Sequence, residues 1–149
     1  MNLVVDTNII ISLLITPSGT IADIVFNKLD KFVLISPRFM FDELLGKSEK
    51  IRKITGYSTK DLRELFYIIR ENIEFIDDEL ITFENQKKAL QLIHDIDKKD
   101  LLFLALSIQT GYPLWTGDLK LRKGLKKKGH TNIVDTNELI ILLEKRRQY

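Results

Sequence analysis

The sequence predicts an α/β domain with a parallel sheet sandwiched between helices, and three observations predict it. Apolar runs of strand length stand at residues 2–5, 32–35, 112–115 and 132–134. At both ends of the chain these runs alternate with segments of helical period, the pattern of strand–helix–strand units joined by right-handed crossovers. The length of 149 residues fits one domain, 1–149, around one core, with no internal repeat or linker.

The elements follow in chain order. Residues 2–5 (NLVV) read as a buried strand. Pro17, Ser18 and Gly19 punctuate the chain, and 20–29 reads as a helix with Ile21, Ile24, Val25 and Leu29 on one face. A second buried strand is expected at 32–35 (FVLI). Ser36-Pro37 then predicts a helix start, a capping hydroxyl followed by proline in the first turn. That helix runs to Leu45 and closes at Gly46 in the left-handed conformation. Residues 47–57 are polar, anchored by Ile51 and Ile54.

Ser58 and Asp61 form an acidic variant of the capping box, ahead of Leu62, Leu65, Phe66, Ile69 and Ile73 at helical spacing. Residues 74–76 suit either a short strand or the end of that helix. A helix is expected over 83–93, and a central, almost wholly apolar one over 99–110, ended by Gly111. The strand YPLW (112–115) tolerates Pro113 near its start or at an edge. A basic helix over 119–128 closes at Gly129, a last strand covers 132–134, and Thr136 caps a helix over 137–147. The middle third therefore reads as a helical insertion beside the sheet.

Composition excludes several chemistries. With no cysteine there is no disulfide framework, thiol nucleophile or thiolate zinc site. His94 and His130 are the only histidines, too few for a multi-histidine metal centre. A metal would be held by oxygen, which selects magnesium, manganese or calcium. The apolar N-terminus is broken by Asp6 and Asn8 and lacks both a basic leader and a small-residue cleavage site. No apolar run reaches ~18 residues, so no membrane span and a cytoplasmic location are expected. Net charge is only +2, but Lys120, Arg122, Lys123, Lys126, Lys127 and Lys128 crowd one stretch and Lys145, Arg146 and Arg147 another. Such clusters suit phosphate partners, with solvated helix faces as the competing explanation.

In open parallel sheets, ligands bind beyond the carboxyl ends of the strands. Asp6 follows the first strand directly, and Asp118 follows YPLW through Thr116-Gly117. Both carboxylates share one sheet edge if these strands are parallel neighbours. A turn or cap explains one polar residue of Asp6-Thr7-Asn8 but not three, because a polar triplet in an apolar stretch costs burial energy unless paired. Glu43 lies one turn beyond Phe39 on a helix, where a solvated role competes with a functional one. Asp95, Asp97 and Asp100 precede the apolar helix, where one acid suffices for capping. Asp100 is closest to the buried segment, with Asp97 as a supporting partner or a rival. Brought together, each close pair of carboxylates repels by about 4 kcal/mol at ~4 Å and an effective dielectric of ~20. Divalent cations resolve that conflict, and paired cations suit phosphodiester displacement. Thr7, Asn8, Ser36 and Thr116 are placed to orient water or a phosphate by neutral hydrogen bonds.

These pieces, taken in order, resemble the PIN-domain family of metal-dependent ribonucleases, which includes toxins of prokaryotic toxin–antitoxin pairs. The resemblance rests on VVDTNII, on Glu43 in FDELL, on Asp100 in DLLFLALSIQTG, and on Thr116 and Asp118 in WTGDLKL, and it covers residues 2 to 135. It implies a three-layer α/β/α fold, with Mg²⁺ or Mn²⁺ at Asp6, Glu43, Asp100 and Asp118, and RNA as substrate. Lys120, Arg122, Lys123 and Lys126 are the expected phosphate contacts. It further implies a homodimer and, for a toxin, an antitoxin partner. The alternative is a non-catalytic RNA-binding or assembly module on the same fold, although degenerate relatives usually lose acids that are all present here.

Overall fold

The computed structural model describes residues 1–27 and 31–147. Among them, five strands form one all-parallel sheet: β1 (Asn2–Val5), β2 (Val33–Pro37), β3 (Glu74–Ile76), β4 (Leu114–Trp115) and β5 (Ile133–Val134). The helices are α1 (Thr7–Ile15), α2 (Thr20–Asn27), α3 (Phe39–Gly46), α4 (Ser48–Thr55), α5 (Thr59–Asn72), α6 (Phe83–Ile93), α7 (Leu101–Thr110), α8 (Leu119–Lys127) and α9 (Thr136–Arg147). They flank the sheet in the expected three-layer α/β/α sandwich.

Strand order is β3-β2-β1-β4-β5, so β1 lies at the centre and the winding direction reverses around it. Val4 pairs with Leu114 and Val5 with Trp115 in parallel register, which makes β1 and β4 the neighbours that the shared-edge argument required. Leu3, Val4 and Val5 are fully buried, as continuous apolar runs covered on both faces must be. α7 packs its body into the core, with Phe103, Leu104, Ala105 and Leu106 buried. Gly111 ends it at φ 76, the left-handed conformation expected there.

Several expectations need correction. Ser36 and Pro37 do not open a helix but finish β2, where they pair with Phe75 and Ile76 of β3. A residue before proline is driven toward extended backbone, and here the sheet uses that bias. α3 therefore begins at Phe39. Gly46 does not take the left-handed conformation; it lies in the last turn of α3, and α4 follows after Lys47 alone. The polar stretch after Gly46 is thus largely helical, with Ile51 buried as an anchor but Ile54 56% exposed. Residues 74–76 resolve as an edge strand, so the middle third is not purely helical.

The helix after the first strand, α1, was not anticipated as such, because its Thr7-Asn8 start and unbroken apolar body mask its period. Asp135, not Thr136, caps α9: its Oδ1 accepts from the Glu138 amide at 2.8 Å. Thr136 instead accepts the Trp115 indole N–H at 3.1 Å. The Ser58–Asp61 capping box forms as expected, in both directions. The expected end of α2 at Leu29 lies outside the described residues. Among the described residues no single helix is long and apolar enough to cross a membrane; α1 and α2 pass together on composition but are bent by 108°.

Candidate acidic site at the sheet edge

The carboxyl ends of β1 and β4 bring Asp6 and Asp118 to one edge, at the point where strand order reverses. The Asp6 amide donates to the Trp115 carbonyl at 3.0 Å and so continues the β1–β4 ladder into the site. Asp6 is buried, only 3% exposed. Its Oδ2 accepts from the Thr116 hydroxyl at 2.8 Å, and that hydroxyl accepts the Asp118 amide at 3.1 Å. Thr116 thus ties the two strand-end acids through one oxygen. Asp118 also caps α8, its Oδ1 accepting the Leu121 amide at 3.0 Å.

α3 carries the third acid. Phe39 packs against Phe103 of α7 with ring centroids 6.3 Å apart, which pins the first turn of α3 to the core. One turn later, Glu43 Oε1 accepts from the Thr7 hydroxyl at 2.8 Å, across 36 residues of chain. Asp42 beside it is exposed and plays no part.

Asp100 is the fourth. A short 3₁₀ turn, Lys98–Asp100, precedes α7, so Asp100 is the residue at the mouth of the helix and not within its first turn. Its side chain makes no cap bond, and Oδ2 is buried without a hydrogen-bond partner. Asp97 does the capping, accepting the Lys99 amide at 3.0 Å. The rivalry between these two therefore separates by surroundings: Asp97 is a half-buried cap, whereas Asp100 is an orphaned buried carboxyl.

Electrostatics couple the four acids by repulsion. Burial pushes the Asp100 carboxyl up to about 7, and the charges of Asp6, Asp97, Asp118 and Glu43 push in the same direction. Burial likewise raises Asp6; the Thr116 hydroxyl and the Asn8 backbone N–H pull it back, while Glu43 and Asp118 raise it further. A neutral acid with a lone oxygen is the expected result of crowding like charges in a dry place. Asn8 side-chain chemistry is directed outward, since the residue is exposed. Ser36 is spent on the backbone, its hydroxyl donating to the Val5 carbonyl at 3.3 Å, so it is not placed to hold water or phosphate.

The donor set is all oxygen, and the partnerless Asp100 Oδ2 points to a hard cation of the magnesium or manganese kind. As the side chains lie, no three carboxylates or imidazoles among the described residues are arranged to hold one ion. The chemistry of the donor set nonetheless fits a hard dication.

Of the expected phosphate contacts, Lys120, Lys123 and Lys126 are exposed on α8. Arg122 is different. Its guanidinium bonds Asp135 Oδ2 at 2.8 Å and also Glu138, fastening α8 to α9. Charge matched in this way serves the fold and is not offered to a phosphate. Lys128 is similarly tied to Asp95 and the Leu92 carbonyl. The orphaned Oδ2 and the two threonine bridges were invisible in the sequence, because each depends on segments far apart in the chain.

Residues 4–141 match the family model of the PIN domain. The chain belongs to the PIN-domain family. The PIN match runs from inside β1 into α9, so all four acids fall within it. One similar solved structure is the crystal structure of VapBC2 from Rickettsia felis bound to a DNA fragment from their promoter. It superposes with a TM-score of 0.64 at 17% sequence identity, over 91% of this PIN domain's chain and 97% of the other. At that identity the likeness carries the fold alone. No curated protein matches the chain.

Proposed function

We propose that this PIN domain is a ribonuclease that hydrolyses RNA phosphodiesters with Mg²⁺ or Mn²⁺ held by Asp6, Glu43, Asp100 and Asp118. The observation that carries this reading is the buried, partnerless Asp100 Oδ2 in a carboxyl pushed up to about 7 among three other acids of the group. Such a cluster is an unfavourable arrangement in a metal-free fold and a favourable one around a dication. When bound, the cation supplies positive charge to the attacking and leaving oxygens of an in-line displacement.

The chain's own residues supply the rest. The Thr116 hydroxyl fixes Asp6, and the Thr7 hydroxyl fixes Glu43, so two acids are oriented before anything binds. Asp97 caps the turn that carries Asp100, accepting the Lys99 amide. Lys120, Lys123 and Lys126 supply phosphate-facing charge. The test is cleavage of RNA by rigorously purified protein with Mg²⁺ or Mn²⁺, abolished by EDTA and by Asp6→Asn. Cleavage that survives both would end the proposal.

A toxin role is the more specific form of the same reading. What favours it is the fold shared with the structure of VapBC2 bound to promoter DNA. On this reading the partners are RNA, a second copy of the chain and a small antitoxin encoded nearby. Growth arrest on expression, relieved by that neighbour, is the expected outcome.

A further inference from the structure

The carboxyl edge of the sheet carries a second feature, on the β2–β3 side of the acids. Arg38 follows β2, and Asp77 and Asp78 follow β3. The Arg38 amide donates to the Ile76 carbonyl at 3.0 Å, and Asp78 Oδ1 accepts the Phe39 amide at 3.1 Å, so the two strand ends are tied together. Neighbouring strands lie about 4.8 Å apart, which puts these ends about 5 and 10 Å along the edge from the end of β1, where Asp6 stands. Beside them a cavity of about 360 Å³ opens between α3 and α5, with Arg38, Phe41, Asp42, Phe66, Arg70 and Asp78 in its lining.

The aromatic part of that lining is flat. Phe41 and Phe66 are half-buried. The Phe41 ring lies against Phe75 of β3, with centroids 4.2 Å and planes 35° apart. A planar ligand in the cavity extends this stack. The charges are spent unequally. Arg38 is paired with Asp77 at 3.0 Å, and Asp78 holds the Phe39 amide. Asp42, which takes no part in the acidic site, and Arg70 are both exposed, and neither is in an ion pair among the described residues. Opposite charges that share a cavity without closing on one another suit a ligand with donors on one edge and acceptors on another.

Guanine has that pattern. Its N1–H and N2–H groups donate side by side to a carboxylate, and its O6 and N7 accept side by side from an arginine. Adenine sets an acceptor beside its donor, and neither pyrimidine presents two adjacent donors. We infer that this cavity reads a guanine base of the RNA substrate close to the scissile phosphate. Phe41 stacks on the ring, Asp42 takes N1–H and N2–H, and Arg70 donates to O6 and N7. Splayed-out bases are read in this way, by stacking on aromatic rings and bonding at their polar edges. The inference rests on the ribonuclease reading for the strand, not for the base.

The test uses the full chain in EDTA and fluorescein-labelled pentanucleotides that differ only at the centre: UUGUU, UUAUU, UUCUU and UUUUU. Fluorescence anisotropy is expected to show UUGUU bound about tenfold more tightly than the others. Asp42→Asn sets an N–H against guanine N1–H and should narrow that preference to about threefold or less, with affinity for UUUUU unchanged. Arg70→Ala should narrow it similarly. Equal affinity for the four strands, or a guanine preference kept in both variants, would overturn the pocket. Competition with 5′-GMP separates a strand from a free nucleotide: GMP should bind more weakly than UUGUU, and equal affinity would overturn the assignment to RNA. Cleavage of the same strands with Mn²⁺ keeps the two proposals apart. Guanine-selective binding without cleavage removes the ribonuclease reading alone; metal-dependent cleavage without base preference removes the pocket alone.

Discussion

Asp100 and Thr116 show how much of this site is decided by single atoms. Thr116 uses one hydroxyl twice, donating to Asp6 and accepting from Asp118. Asp100 keeps one oxygen unused, and its carboxyl stays neutral up to about 7, against an ordinary 3.8. Because the folded value lies above the unfolded one, the contribution to stability is complete below pH 3.8 and is lost as pH rises through about 7. In EDTA, Asp100→Asn should therefore raise the melting temperature by several degrees at pH 8 and by little or nothing at pH 4. Thermal melts of both proteins at the two pH values check this. An equal gap at both would mean that ionisation of Asp100 carries no penalty.

α8 is the element that joins the site to the rest of the chain. Its start is fixed by Asp118, its middle by Arg122 to the start of α9, and its end by Lys128 to α6 and the turn after it. Gly124 allows the close approach in between. A Cβ there would stand 2.4 Å from Ile96 Cδ1 and 2.9 Å from its Cγ1, so Ile96 would have to move. Ile96 adjoins Asp97, and displacement would be felt at the acidic turn. Gly124→Ala gains about 1 kcal/mol of helix propensity but meets an overpacking cost of about 1–3 kcal/mol. The expected result is a lower urea midpoint, partly restored by adding Ile96→Ala, which removes both Cδ1 and Cγ1. A single variant as stable as the original would show that Ile96 yields freely.

For the whole molecule, the proposed site would make metal binding and folding one equilibrium, because its four acids come from the residues after β1 and β4, from α3 and from the 3₁₀ turn before α7. A cation that binds only the folded chain adds about 2.7 kcal/mol at a hundredfold excess over its Kd. For a domain of this size that is a rise of roughly 5–10 °C in melting temperature. Mn²⁺ should produce it, and Asp6→Asn should abolish it. A melting curve indifferent to Mn²⁺ would instead favour a non-catalytic module on the PIN fold.

The sequence by itself determined the parallel sheet, the buried α7 and the strand-end positions of Asp6 and Asp118, because hydrophobic period and strand-end position are local properties written in consecutive residues. It narrowed Asp97 and Asp100 to a choice and left Glu43 dependent on family likeness. Tertiary structure gives these residues different surroundings, through the Thr7–Glu43 hydrogen bond and the orphaned oxygen of Asp100. It also decided that Ser36-Pro37 ends a strand, since β3 offers pairing partners from nearly forty residues away. Arg122 makes the same point from the surface. Its place in a basic run suggests a phosphate contact, and only the approach of Asp135 and Glu138 turns it into a brace. Burial and charge pairing are sums over neighbours in space, and a linear pattern holds no record of which neighbours those will be.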